Sequence, residues 1–166
     1  LALRHPDWIA GLIIQNANAY LEGLSPLVAD ASPESLAGLL TPAVTRSQYE
    51  TGTIKTERIA PDGWIMDQHF QQSSEHQRAQ LSLLHDYPSN VAQYPEWQQW
   101  LRDHRPPTLI VWGRGDTFFT EAGAHAYLRD IPEAELHLYE TGHFALEECL
   151  PEITPVIEGF LKRWTA

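Results

Sequence analysis

One aspartate and one histidine, each delivered at the end of a short apolar run, are the residues of this chain best placed to do chemistry. Thr108-Leu-Ile-Val-Trp-Gly-Arg-Gly-Asp116 reads as a buried strand that leaves through a glycine turn and presents Asp116. Glu135-Leu-His-Leu-Tyr-Glu-Thr-Gly-His143-Phe-Ala-Leu-Glu147 repeats the pattern and presents His143, 27 residues later, with helical sequence between and after. Two neighbouring strands that end in Asp and His at one sheet edge supply the acid and base of a hydrolytic triad. The carboxylate fixes the imidazole tautomer, and the imidazole moves the proton. A triad also needs a nucleophile, and these residues contain neither a G-x-S-x-G nor a G-x-D-x-G elbow.

The elements that must position this pair belong to an α/β pattern. Ile9-Ala-Gly-Leu-Ile-Ile14 reads as a fully buried strand of a parallel sheet and runs into the polar loop Gln15-Asn-Ala-Asn-Ala-Tyr20, where open α/β sheets place ligands. From Leu21 to about Trp100 strand signals vanish. Ser32-Pro-Glu-Ser35 reads as a helix start, Pro61-Asp-Gly63 as a turn, Trp64 to Gln72 and Ser74 to about His85 as helices. Pro88 and Pro95 are expected to break the chain before a short Glu96 to Arg102 helix. Pro106-Pro107 marks the return to the sheet, with strands Thr108 to Trp112 and Leu136 to Tyr139, a helix Thr120 to Arg129 between them, and a closing helix Phe144 to Trp164 interrupted near Pro151 and Pro155. The expected fold class is therefore α/β, with parallel strands flanked by helices. Residues 1-20 form core, 21-100 a helical cap or lid, and 101-166 the rest of the core.

Composition narrows the function classes. The chain has 166 residues and a formal charge of −11, with no basic patch, which argues against nucleic acid and anionic membrane as partners. No run is long and apolar enough for a membrane span. Leu1-Ala-Leu3 is broken at once by Arg4, His5, Pro6 and Asp7, so it does not read as a signal peptide. It reads as the last turn of a helix, which suggests a fragment. Cys149 is alone and reads as a small core hydrophobe, and a cytoplasmic setting is expected. The eight histidines show no metal-ligand spacing. His137 is near His143 in sequence, but strand alternation aims it elsewhere.

The chain resembles the C-terminal part of an α/β-hydrolase, in the branch that includes epoxide hydrolases and haloalkane dehalogenases. The resemblance rests on His5-Pro6, Gly11-Leu-Ile-Ile-Gln-Asn16, Pro107 to Asp116, Ile131-Pro-Glu-Ala-Glu135 and Thr141-Gly-His-Phe-Ala-Leu-Glu147. It implies that Asp116 is the acid, that His143 is the base, and that a cap domain lies between Leu21 and about Trp100. Some dehalogenases place their acid after the strand matching Ile9 to Ile14; here that position carries the amides Gln15 and Asn16, with Glu22 the nearest carboxylate, and Asp116 is the better candidate. Asn16, Tyr49, Tyr87, Tyr94 and Phe144 are candidates for the substrate pocket. The family's first strands, oxyanion loop and elbow have no counterpart among these residues, so the nucleophile, Asp or Ser, is undetermined and this chain alone is expected to be nearly inactive.

The expected function is hydrolysis of a small, apolar ester, epoxide or alkyl halide, with no cofactor and no metal. The alternatives are an inactive fragment and a half-hydrolase that binds a ligand or partner. A partner would be a separately supplied N-terminal half, or a second copy met across an exposed sheet edge.

Overall fold

A computed structural model describes residues 1–29 and 38–164; the side chains of Leu27 and Ala29 are not described. The helix start expected at Ser32-Pro-Glu-Ser35 lies outside the described residues. Three parallel strands form one sheet in the order β1 (Leu12–Gln15), β2 (Thr108–Gly113), β3 (Glu135–Tyr139). The helices are α1 (Pro26–Ala29), α2 (Pro42–Glu50), α3 (Pro61–Phe70), α4 (Ser74–His104), α5 (Glu121–Asp130) and α6 (Ala145–Trp164).

The central strand explains the layering. All six residues of β2 are buried, because it has a neighbouring strand on each side and a helical layer on each face. Its side chains alternate: Ile110 and Trp112 join Tyr20, Trp100, Ala124 and Tyr127 on one face, while Leu109 and Val111 join Ala145, Ile153 and Phe160 on the other. Helix α5 thus covers one face and α6 the other.

Several expectations need correction. The first strand is shorter and less buried than its apolar run suggests: it begins at Leu12, and Ile13 is 41% exposed. Residues before Leu12 face the Pro106-Pro107 end of β2, where neither proline has an N–H to donate, so the ladder starts at the Leu12↔Thr108 pair. Among the described residues β1 has β2 on one side and no strand on the other, and Ile13 stays partly uncovered.

Pro61-Asp-Gly63 is the first turn of α3, not a separate turn, since proline at the first helical position costs no hydrogen bond. Pro88 and Pro95 lie inside the single helix α4, which runs from Ser74 through His104. Both prolines are exposed and two helical turns apart. Each removes one backbone bond of the helix, and the helical backbone continues through both. Helix α4 ends at Arg105, whose φ of 42° caps it in the left-handed region. In α6 the interruption falls at Cys149 (φ −106°, ψ 20°), two residues before Pro151.

The segment between β1 and β2 is seated on the core by named contacts. Buried Glu148 of α6 accepts the backbone N–H groups of Ile54 (2.9 Å) and Lys55. Arg58 reaches Glu152 at 2.9 Å. Gly52, at φ +85°, lies so close to the β2 turn that a Cβ there would meet the Gly115 carbonyl at 2.2 Å. At the other end Gln98 of α4 donates to the Ala19 carbonyl at 2.7 Å.

Candidate active site

Strands β2 and β3 end side by side, so the turns that follow them converge. The Arg114 and Gly115 amides donate to the Tyr139 and Thr141 carbonyls at 2.9 and 2.8 Å, tying the two turns together. Gly113 permits this: a Cβ at that position would stand 2.0 Å from the Gly142 carbonyl oxygen. The consequence is a direct contact, with His143 Nδ1 2.8 Å from Asp116 Oδ2.

Asp116 is fully enclosed at its side chain, and each carboxylate oxygen is occupied. Oδ1 accepts the backbone N–H groups of Phe118 (2.8 Å) and Phe119 (3.1 Å). Oδ2 accepts from Asn16 Nδ2 at 2.7 Å and is shared with His143. Four hydrogen-bonding contacts around the buried carboxylate fix the plane in which His143 must approach.

His143 is held from three further sides by aromatic rings. Phe118, Phe119 and Phe144 place their centroids 5.2, 5.7 and 4.9 Å from its own, edge-on or tilted. Its Nε2 has no hydrogen-bond partner among the described residues, and the imidazole lines a cavity of about 220 Å³. With Nδ1 engaged by a carboxylate, Nε2 is the nitrogen free to accept a proton.

The cavity lies between the β2 turn and the helical segment. Leu39, Leu40, Leu84, Phe118, Phe119 and Phe144 make its walls apolar. Gln48, Gln71 and Gln80 supply its amides, and Tyr87 its hydroxyl. No Asp, Glu, Lys, Arg, Ser or Cys is among the described residues that line it.

The pocket candidates separate. Tyr87 and Phe144 line the cavity. Tyr49 is 8% exposed, stacks on Phe144 at 4.4 Å and donates to Asp67 at 2.6 Å, so it supports the wall from behind. Tyr94 is 2% exposed and meets the Tyr87 hydroxyl at 3.0 Å. Burial, then the bond to Tyr94, pushes the Tyr87 hydroxyl far above the ordinary tyrosine range and keeps it protonated.

Asn16 does not line the cavity. It is 3% exposed and lies behind Asp116, where Nδ2 donates to the carboxylate and Oδ1 accepts the Gly113 N–H at 3.0 Å. Its φ of 42° aims the side chain there, and asparagine tolerates that backbone better than most residues. A polar loop at a strand end gives the position but not the partner. The buried Glu148 and the three glutamines had no signal in the sequence, since isolated polar residues in helical stretches are ordinarily solvated.

Comparison with known proteins gives the architecture a wider setting. No family model matches the chain. It is 37% identical over 161 residues to an uncharacterized hydrolase of Saccharomyces cerevisiae, covering 89% of this chain and 56% of that protein. It is 36% identical over 76 residues to a 2-hydroxy-6-oxononadienedioate/2-hydroxy-6-oxononatrienedioate hydrolase of Klebsiella pneumoniae, covering 45% of this chain and 26% of that protein. Among solved structures, a 2-hydroxy-6-oxo-6-phenylhexa-2,4-dienoate hydrolase from a Rhodococcus species superposes with a TM-score of 0.72 at 14% identity, over 98% of this chain and 58% of that one. The chain thus spans little more than half the length of the yeast protein and of that structure. Its parallel strands, flanking helices and converging strand-end turns make it part of an α/β-hydrolase fold.

Proposed function

We propose that the chain supplies the acid–base half of a hydrolytic site, with Asp116 orienting His143 and the helical segment 21-100 acting as a cap. The observation that carries this reading is the 2.8 Å contact from His143 Nδ1 to a buried carboxylate with four hydrogen-bonding contacts, with Nε2 left open to an apolar cavity. The nucleophile, Ser or Asp, and the oxyanion donors come from outside these residues, through a partner segment that adds strands to the unpaired edge of β1.

In that arrangement Nε2 takes a proton from a water molecule, and the water oxygen adds to the carbonyl carbon of the covalent ester. The ester's alkoxy oxygen then leaves with the bonding electron pair and receives the proton back from Nε2. Aromatic walls exclude bulk water, so the charge on the imidazolium is balanced chiefly by Asp116. A small, largely apolar ester, epoxide or alkyl halide suits such walls. The epoxide hydrolase and haloalkane dehalogenase branch is kept within this reading through the motif around Asp116 and His143.

The test is hydrolysis of an activated ester by the chain supplied with an elbow-bearing N-terminal half. Asp116→Asn and His143→Ala should each remove most turnover while leaving the fold intact by circular dichroism. Turnover indifferent to both changes would refute the assignment. A second reading, ligand binding without catalysis, is favoured by the absence of any Ser, Cys, Asp or Glu among the described cavity-lining residues. It predicts ligand affinity with no turnover even after complementation.

A further inference from the structure

The polar groups of the cavity are unusual in kind. Gln48 comes from α2, Gln71 from the residue after α3 and Gln80 from α4, yet all three line one space. None of their side-chain amides makes a hydrogen bond to another described residue. Gln71 Oε1 is also buried away from solvent with no partner among the described residues. An acceptor buried in this way forfeits hydrogen-bonding energy that a ligand donor can restore.

Charge points the same way. The described cavity wall carries no Lys or Arg. The formal charge of −11 adds a long-range repulsion to anions. The Klebsiella relative is named for a dioate, a dicarboxylate. Among the described residues, a second carboxylate on a ligand in this cavity meets no lysine or arginine, and the His143 imidazole is already turned toward Asp116.

We infer that the cavity takes an uncharged ligand: an apolar body with a neutral hydrogen-bond donor, a hydroxyl or carboxamide, that reaches Gln71. Placing the reacting bond beside His143 rests on the hydrolytic reading above. The ligand class rests on the cavity alone. It sets this site apart from one built for dicarboxylates.

The experiment measures binding of three six-carbon probes to the chain: hexanamide, 2-hexanone and hexanoate, followed by NMR of the glutamine side-chain amides. Hexanamide should bind on the order of 10-fold more tightly than either of the others, the size of one recovered hydrogen bond. Gln71→Leu should erase the advantage of hexanamide over 2-hexanone. Gln71→Glu, nearly isosteric and less disruptive to folding, should keep the donor preference and weaken hexanoate further. Hexanoate binding as tightly as hexanamide would overturn the inference, as would failure of all three probes to bind. Selective hexanamide binding with no ester turnover in the complemented protein would retire the hydrolytic reading and leave the ligand class standing.

Discussion

Replacing Asn16 by alanine should be among the most damaging single changes near the site, although Asn16 never touches the cavity. Two hydrogen bonds are lost at once. The bond from Nδ2 to the Asp116 carboxylate, at 2.7 Å, involves a charged acceptor, a class that contributes about 1.5–3 kcal/mol. Loss of Oδ1 leaves the Gly113 N–H without its 3.0 Å side-chain partner inside the sheet end, which costs roughly 1–3 kcal/mol. Alanine at φ 42° adds about 1 kcal/mol of backbone strain that asparagine partly escapes. The expected destabilisation is therefore about 3.5–7 kcal/mol, a large share of the roughly 5–15 kcal/mol that holds a domain folded. Urea unfolding measures it, provided the slope with denaturant stays constant. Asn16→Gly serves as control, because it removes the same bonds and relieves the φ; it should lie about 1 kcal/mol above the alanine variant. ¹⁵N NMR of the His143 ring nitrogens gives a second readout, since a loosened Asp116 no longer enforces one tautomer. A loss below about 1 kcal/mol for Asn16→Ala, or a tautomer unaffected by it, would refute the claim that Asn16 clamps the acid.

Other outcomes follow from the same contacts. In the complemented protein Asp116→Asn should lower kcat by on the order of 10⁴, the scale seen when a triad loses the carboxylate that sets its tautomer; a loss under about tenfold would place the acid elsewhere. Glu148→Ala should speed hydrogen exchange at the Ile54 and Lys55 amides far more than at β2, and uniform exchange across both would deny that this carboxylate docks the 51–58 segment. Ile153→Ala, at a fully buried position between α6 and β2, should cost about 2–5 kcal/mol in denaturant unfolding. The Tyr20 hydroxyl is pushed well above its ordinary value of 10.0, first by burial and then by its bond to Asp130. The folded state therefore keeps a proton that the unfolded chain releases, and stability should fall as pH rises above about 10. Tyr20→Phe should flatten that alkaline decline, as read by unfolding midpoints on either side of about pH 10.

The strand ends that carry the candidate site were legible because their signals are local. Apolar runs ending in glycine at Gly113 and Gly142 mark strand ends whatever surrounds them, and the residues just beyond are Asp116 and His143. The order of strands and the intervening helix followed from the same periodicity. Where the structure departs from the local pattern, the deciding force is not local. Helix α4 continues through Pro88 and Pro95, whose rings lie at exposed positions, and exposure is a tertiary property. Ile13 is partly exposed on β1, which has β2 as its one described strand neighbour, although its composition is that of a buried strand.

The sequence by itself marked Asp116 and His143 as the candidate acid and base, since strand, turn and titratable side chain are written within a few consecutive residues. It determined as well that no nucleophile elbow lies in these 166 positions. Only the tertiary structure decided what surrounds that pair. Asn16 reaches Asp116 across 100 residues, Glu148 catches backbone amides more than 90 residues away, and three glutamines from three elements share one cavity. Hydrogen bonds act over about 3 Å, and a chain carries no record of which of its distant polar groups will come within that range until the sheet and its helices have packed.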